Sequence, residues 1–229
     1  MGDYADLFKG IGKVKGVQVD LHIDPAIQRM AQPPRRIPFS VRPKLGVEQE
    51  KVMADDTIEK VDKPTSWDSP VEITLKRSVD EIRLNVEMRE ANKAISCVHT
   101  VIPTLGDIIH ELNKCHPVFA PGPEPWLSPV GIDISTFATH LGLYRYKRLN
   151  FGTKSSGEIF QDTVSKQIMC DIPGCINISD DILVFGKGQE EHDQCLEKLF
   201  KRAREKRITF DKDKCECNKD RCLYYGMVG

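Results

Sequence analysis

The sequence predicts an α+β fold from one alternating strand, one acidic hairpin and one long amphipathic helix. Apolar and polar residues alternate over 82–89, which is the period of a half-buried strand. Apolar runs at 176–178 and 182–185 flank a short polar interruption, a strand-turn-strand signal. Residues 189–206 predict a helix with one apolar stripe: Cys195, Leu196, Leu199, Phe200 and Ala203. Mixed elements of this kind favour an α+β arrangement, and the sequence contains no internal repeat.

The remaining elements follow from local composition. Residues 1–36 have little helical periodicity and contain Asp24-Pro25 and Pro33-Pro34, so we interpret them as an N-terminal arm or linker. Residues 48–60 have helical composition, and a loop bracketed by prolines follows at 63–70. A capping Thr104 predicts a short helix over 104–113, and 155–168 predict another helix.

Composition limits the classes of protein to consider. With 229 residues, 40% of them hydrophobic, the chain can bury a substantial core. Its net charge of -1 gives no global signature of a nucleic-acid binder, so such binding must depend on local basic patches. No signal peptide or apolar membrane span is present, and we expect the eight cysteines to be reduced thiols. We therefore expect an intracellular protein, cytoplasmic or nuclear.

Two adjacent acids, Asp180 and Asp181, stand where the predicted hairpin reverses. Two carboxylates held there can bind a divalent cation, because Mg²⁺ prefers carboxylate oxygens together with substrate phosphates. An ordinary turn is the alternative, because Asp favours turns by bonding its own backbone. The pair alone leaves both interpretations open.

The order of several other segments favours the metal site. Segments 35–39, 64–70, 82–92 and 142–152 precede the hairpin, and 191–193, 213–215 and 225–226 follow it. Together they resemble the reverse transcriptases of gypsy-type long-terminal-repeat retrotransposons. The resemblance implies polymerase fingers and palm over 37–229 with a mixed or antiparallel palm sheet, the thumb being absent. It also implies that the chain is a fragment of a Pol polyprotein.

Family chemistry supplies the expected activity, cofactors and partners. The resemblance implies an RNA-directed DNA polymerase that transfers a nucleotide to a primer 3′ hydroxyl with two Mg²⁺ (or Mn²⁺) ions. It implies an RNA or DNA template-primer and a deoxynucleoside triphosphate as partners, and no membrane; the oligomeric state stays open. By resemblance, Asp180 and Asp181 are two of three metal-binding acids.

Further site residues are assigned by the same resemblance, each with an alternative. Lys76 and Arg83 match positions that hold the triphosphate, or they lie on a solvated strand face. Phe151 and Gly152 line the nucleotide pocket, or Phe151 is a core aromatic beside a turn. Gln161 lies near the template, or on a helix surface. Lys214 protonates the departing pyrophosphate, or is simply solvated in a charged run.

One interval, 115–136, departs from the family pattern. It is short and rich in proline, and Pro123 stands where the family has its first catalytic aspartate. Proline removes a ladder donor from a strand, so we expect the strand that should carry this acid not to form normally. Glu124 and Asp133 are the nearby acids, and neither lies in the family's context.

The sequence therefore leaves three interpretations. The chain is an active polymerase, a non-catalytic remnant that binds nucleic acid through Lys76, Arg83, Lys147 and Arg148, or a decayed transposon product. Because loss of one metal ligand weakens a metal site, we expect impaired polymerase activity.

Overall fold

The computed structural model describes residues 2–10, 12, 14, 16–75, 81–97, 115–119, 125–178, 181–212, 215, 223–224 and 227–228. The chain divides into two compact units. The first unit comprises Met1–Val17, Val98–Pro125 and Gly157–Gly229, and the second comprises Gln18–Cys97 and Trp126–Ser156. Within the described ranges, no helix has both the length and the apolar character needed to span a membrane.

Strands and helices alternate irregularly along the chain, as the α+β prediction requires. The strands are β1 (Gln18–Val19), β2 (Ile58–Val61), β3 (Ser69–Leu75), β4 (Ile82–Val86), β5 (Cys115–Phe119), β6 (Trp126–Leu127), β7 (Thr136–Thr139), β8 (Gly142–Tyr146), β9 (Cys175–Ile178), β10 (Asp181–Phe185), β11 (Leu223–Tyr224) and β12 (Met227–Val228). The α-helices are α1 (Arg42–Ala54), α2 (Arg89–Ala94), α3 (Pro129–Ile134), α4 (Ser156–Val164) and α5 (Gln189–Lys206). A 3₁₀ helix covers Gly2–Phe8, and a π-helix covers Ser165–Met169.

The second unit is built on a five-stranded sheet of order β2-β8-β7-β3-β4. Strand β3 pairs antiparallel with β4 and parallel with β7, so this sheet is mixed. Strand β4 has the predicted alternation, because Ile82, Leu84 and Val86 are buried and Arg83 is exposed. Helix α1 packs against β4 and buries Leu45.

The first unit contains a three-stranded antiparallel sheet of order β5-β10-β9. Helix α5 packs against β10, and most of its predicted apolar stripe is buried: Cys195, Leu199, Phe200 and Ala203. Burial of each Leu or Phe side chain contributes about 1.5–3 kcal/mol, so this stripe is a main source of stability in the unit. The predicted helix and hairpin are both confirmed.

The N-terminal 36 residues, interpreted as an arm or linker, supply buried side chains. Leu7 and Val14 belong to the core of the first unit. Val19 and Leu21 are buried in the second unit, where β1 pairs in parallel with β6. Residues of this segment therefore take part in the cores of both units. The domain boundary at residue 36 stays a prediction.

The predicted helix over 48–60 is wrong at its C-terminal end. Helix α1 ends at Ala54, and β2 pairs antiparallel with β8 from Ile58↔Tyr146 to Val61↔Leu143. Strand pairing with a distant segment overrides local helical composition here. The helix predicted over 155–168 is confirmed as α4 and the π-helix, and the helix predicted over 104–113 lies outside the described residues.

The proline-rich interval forms more structure than we expected. Strand β5 pairs with β10 along its whole length, from Cys115↔Phe185 to Phe119↔Asp181, so the expectation that this strand does not form is wrong as far as Phe119. Pro117 is compatible with β5 because the strand lies at the edge of its sheet. Residues 120–124, with Pro123 and Glu124, lie outside the described ranges.

The C-terminal part of the interval belongs to the core of the second unit. Leu127 of β6 is 1% exposed and Ile134 of α3 is fully buried. The Ser128 hydroxyl accepts a hydrogen bond from the backbone N–H of Gly131 and so caps α3.

Candidate active-site residues

The acidic hairpin lies at one end of the three-stranded sheet. Strand β9 ends at Ile178 and β10 begins at Asp181, which pairs with Ile178 on one side and with Phe119 on the other. Behind Asp181, residues Ile182 and Leu183 are at most 1% exposed, which anchors the strand in the core. The backbone of Asp181 therefore has its predicted position at the reversal, and Asp180 lies outside the described residues.

The donor chemistry of this hairpin fits a magnesium site. Mg²⁺ binds through one or two carboxylates and keeps waters or substrate phosphates as its other ligands, and the hairpin supplies two carboxylates. Among the residues that the structure describes, no group of three or more His, Cys, Asp or Glu side chains could hold a metal ion. Asp133, one of the two acids near position 123 in the sequence, forms an ion pair with Arg145, with an Oδ1–Nη1 distance of 2.7 Å.

Arg83, one of the two residues expected to hold the triphosphate, belongs to β4 of the second unit. Arg83 lies opposite Thr74, and its side chain is exposed. Lys76 follows the end of β3 and lies outside the described residues. Both a triphosphate contact and a solvated strand face require an exposed Arg83, so its role stays a prediction.

The segment that carries Phe151 and Gly152 is an exposed turn. Phe151 is 73% exposed, which excludes the alternative of a core aromatic. Gly152 has a φ of +94°, and a Cβ there would lie 3.6 Å from the carbonyl oxygen of Val86. Glycine suits this left-handed backbone because other residues adopt it only with strain.

Asn92 of α2 holds this turn with both ends of its side-chain amide. Its Nδ2 donates to the carbonyl oxygen of Gly152 at 2.7 Å. Its Oδ1 accepts from the backbone N–H of Lys154, also at 2.7 Å. This role of Asn92 could not be predicted from the sequence, because no local pattern connects Asn92 with a turn some 60 residues away.

Gln161 is not a surface residue. It is 2% exposed, and its Nε2 donates to the carbonyl oxygen of Asn177 in β9 at 2.7 Å. The helix-surface interpretation is therefore wrong. A side chain committed to this buried hydrogen bond does not support a direct contact with a template either.

Two cations proposed to bind nucleic acid have other partners. Arg148 is fully buried, and its Nη2 donates to the carbonyl oxygen of Asp55 at 3.1 Å. The prediction that Arg148 contacts a phosphate is therefore wrong. Lys147 forms an ion pair with Asp56, and its Nζ lies 4.9 Å from the centroid of the Trp126 ring. Lys214 lies outside the described residues.

An exposed cationic group lies next to β4. Glu87 follows this strand and forms ion pairs with both Arg35 and Arg89. The hydrogen bond from Arg89, reinforced by the charge of Arg35, lowers the pKa of the Glu87 carboxyl. The ionised carboxylate thus keeps two guanidinium groups close together on the surface of the second unit.

Two curated relatives of this chain are retrovirus-related Pol polyproteins from transposons. The Pol polyprotein from transposon 412 of Drosophila melanogaster is 24% identical over 191 residues, covering 79% of this chain and 15% of that protein. The one from transposon 297 of the same species is 23% identical over 172 residues, covering 71% and 16%. An uncharacterized protein of Caenorhabditis elegans is 25% identical over 169 residues, covering 71% and 13%. The chain therefore spans only 13–16% of the length of these relatives.

Solved structures with the same fold come from prototype foamy virus. Its protease-reverse transcriptase matches with a TM-score of 0.87 and 17% identity, over 100% of this chain and 32% of that chain. A foamy viral protease-reverse transcriptase in complex with double-stranded DNA matches with a TM-score of 0.85 and 18% identity, over 99% and 41%. These matches confirm the predicted fingers-and-palm fold.

A family model supplies the assignment. The model described as reverse transcriptase (RNA-dependent DNA polymerase) matches residues 46–228, which is most of the chain. The narrower gypsy-type assignment stays a prediction. With its acidic hairpin, its fold and this match taken together, the chain belongs to the reverse transcriptase (RNA-dependent DNA polymerase) family.

Proposed function

We propose that this reverse transcriptase domain binds a template-primer and that its nucleotidyl transfer is severely reduced. The position of Asp181 carries the proposal. It opens β10 directly opposite Phe119, the last residue of β5. Four residues after Phe119, Pro123 stands where the resemblance requires the family's first catalytic aspartate, the remaining one of the three metal-binding acids. The hairpin keeps two carboxylates of the family's metal site, and the neighbouring segment has lost the other.

Seven of the predicted site residues have one role each in this proposal. Asp180 and Asp181 hold the divalent ions, and Lys76 and Arg83 bind the triphosphate oxygens. Two Mg²⁺ ions, when bound, activate the primer hydroxyl and stabilise the charge on the triphosphate. Phe151 and Gly152 line the nucleotide pocket. Lys214 gives a proton to the departing pyrophosphate.

Loss of the third acid explains the reduced activity. A carboxylate at position 123 would add one negative charge and one geometric anchor for the ions. A metal site is sensitive to ligand displacements of about 0.5 Å, so two carboxylates alone hold the ions less well than three. We therefore infer that binding of nucleic acid survives better than catalysis.

Nucleic-acid binding without catalysis is the second candidate function. The exposed Arg83 favours it, because arginine binds phosphate oxygens bidentately. Arg35 and Arg89 share the single carboxylate of Glu87, so this group adds only one net positive charge. Foamy viral protease-reverse transcriptases were solved in complex with double-stranded DNA and with an RNA/DNA hybrid, which supports nucleic acid as the partner here.

Fluorescence anisotropy with a primed RNA template tests the binding. We expect an affinity that falls steeply with salt, because phosphate contacts release counterions. Arg83→Gln should weaken binding and reduce the salt dependence. Lys201→Gln is the matched control, because Lys201 is an exposed cation that is already paired with Glu197 at 2.7 Å. Binding that is absent or insensitive to salt would contradict the proposal.

Primer extension with Mg²⁺ tests the catalytic part. We expect slow incorporation, close to background, that Asp181→Asn abolishes. Rapid extension that survives Asp181→Asn would contradict both the assignment of the hairpin and the inferred impairment.

A further inference from the structure

A buried polar residue lies in β9, next to the acidic hairpin. Asn177 is 2% exposed, whereas its neighbour Ile176 is only half-buried. Burial of an amide is unfavourable unless the group is hydrogen-bonded, and an apolar residue would fill a core position without this cost. The partners of Asn177 therefore indicate why a polar side chain occupies this position.

Both partners lie on the segment formed by α4 and the π-helix. Gln161 Nε2 donates to the carbonyl oxygen of Asn177 at 2.7 Å, and Asn177 Nδ2 donates back to the carbonyl oxygen of Gln161 at 3.4 Å. The Ser165 hydroxyl donates to Asn177 Oδ1 at 2.7 Å. Gln161 and Ser165 are four residues apart, so they share one helical face and reach the same strand residue.

This network connects the helical segment to one register of β9. Asn177 pairs with Ile182 and Ile178 pairs with Asp181, so the network lies one residue pair from the start of the acidic strand. A slip of β9 by one residue would turn Asn177 to the other face of the sheet and leave these groups without their bonds. It would also shift the pairing by about 3.4 Å. A metal site tolerates displacements of its ligands of only about 0.5 Å.

We propose that Gln161 and Ser165, acting through Asn177, are positioning residues that fix the register of the hairpin and thereby the location of Asp181. The part that concerns metal binding rests on the proposed function. The part that concerns the register does not, because the hydrogen bonds and strand pairing alone support it. Gln161 thus contributes to the site from within the core.

Four variants of the full chain test this proposal. Asn177→Leu removes the side-chain amide. Ser165→Ala removes the hydroxyl that donates a hydrogen bond to Asn177 Oδ1. Ser165→Thr keeps a hydroxyl and should behave like the wild type. Thr163→Val is the matched control. The buried Thr163 hydroxyl donates to the carbonyl oxygen of Ile159, so this hydrogen bond stays within the helix and does not reach β9.

Two measurements apply to each protein. Hydrogen exchange at the backbone amides of Ile182 and Leu183 reports the register of the hairpin. Mn²⁺ titration followed by electron paramagnetic resonance reports the affinity of the acidic pair, with Asp181→Ala as the reference for its loss. We expect Asn177→Leu and Ser165→Ala to accelerate exchange and to weaken Mn²⁺ binding, by about tenfold to a hundredfold for Asn177→Leu. Ser165→Thr and Thr163→Val should change neither.

The two measurements separate this inference from the proposed function. Equal exchange in all five proteins, the wild type included, would overturn the positioning role whatever the metal does. If Asp181→Ala binds Mn²⁺ as well as the wild type, the metal assignment fails, and faster exchange in Asn177→Leu and Ser165→Ala still supports the register role. Should Asn177→Leu fail to fold, the comparison of Ser165→Ala with Ser165→Thr decides.

Discussion

At the scale of single residues, Asp68 is a carboxylate in an unfavourable place. Its Oδ1 is buried and has no hydrogen-bond partner in the described part of the chain. Burial raises the pKa of this carboxyl from 3.8 to about 6, and a backbone hydrogen bond from Ala138 opposes the change only in part. Folding therefore makes protonation of the Asp68 carboxyl more favourable than it is in the unfolded chain.

We expect Asp68→Asn to stabilise the protein above pH 6. Between about pH 4 and pH 6 the folded state holds a proton that the unfolded chain releases, so the free energy of unfolding falls as the pH rises through this window. The amide removes this dependence. The gain at pH 7.5 should be about 1 kcal/mol, because partial exposure of the side chain reduces the effect. Denaturant unfolding at pH 4 and 7.5 measures it, and a less stable variant at pH 7.5 would contradict the explanation.

Cysteine reactivity should follow burial. Burial, together with the nearby Cys195, raises the pKa of the Cys175 thiol to about 12, and the thiolate is the reactive form. Cys97 and Cys170 are exposed. We expect maleimide at pH 7.5 to label Cys97 and Cys170 rapidly, and Cys175 only after unfolding. Peptide mapping of the labelled chain measures this, and rapid labelling of Cys175 in the folded protein would contradict it.

Roles that depend on distant contacts could not be predicted from the sequence. Arg148 follows Lys147 in a basic segment, and only the structure shows that the Arg148 side chain is buried against Trp126 and Asp55. Gln161 lies on an amphipathic helix, but its burial depends on β9. Asn177 did have a local signal, because it is a polar residue between two isoleucines in a predicted strand.

At the scale of elements, strong periodicity decided which predictions were correct. Helix α5 covers Gln189–Lys206 as predicted, because its apolar stripe and its terminal charges agree. The hairpin of β9 and β10 was also predictable from its two apolar runs. Helix α1 was predicted to run too far, because local composition contains no information about the pairing of β2 with β8.

The turn at 152–154 gives a prediction at this scale. Asn92→Ala removes the two hydrogen bonds between the Asn92 side chain and the turn, so we expect faster exchange of the Lys154 amide and a loss of about 1–2 kcal/mol in the free energy of unfolding. Asn85→Ala is the matched control, because its Nδ2 donates to the Thr74 hydroxyl on the neighbouring strand and not to the turn at 152–154 in the described part of the chain. Equal exchange at Lys154 in the wild type and Asn92→Ala would show that Asn92 does not hold the turn.

At the scale of the whole molecule, the buried cores argue against a decayed product that does not fold. Each unit has a sheet with buried apolar residues, such as Leu183 in the first and Phe137 in the second. We expect thermal unfolding followed by circular dichroism to be cooperative. A gradual loss of signal without a transition would favour the decayed-product interpretation instead.

The family could be predicted from the ordered motifs of the sequence, whereas the structure of the proline-rich interval could not. Strand β5 forms despite Pro117 because it lies at a sheet edge, and β6 and α3 are parts of the second core. From local composition, we expected a palm strand in this interval not to form, but the described part of the interval forms two strands and a helix. The proposed defect therefore narrows to the missing acid at position 123.

Restoring that acid is the most direct test. Primer extension on a primed RNA template with Mg²⁺ should be compared between the wild type, Pro123→Asp and Pro123→Asp with Asp181→Asn, with Pro121→Asp as a neighbouring control. We predict that Pro123→Asp raises the extension rate by about tenfold or more, that Asp181→Asn cancels the gain, and that Pro121→Asp gives none. An extension rate that Pro123→Asp leaves unchanged would contradict the assignment of the defect to this position.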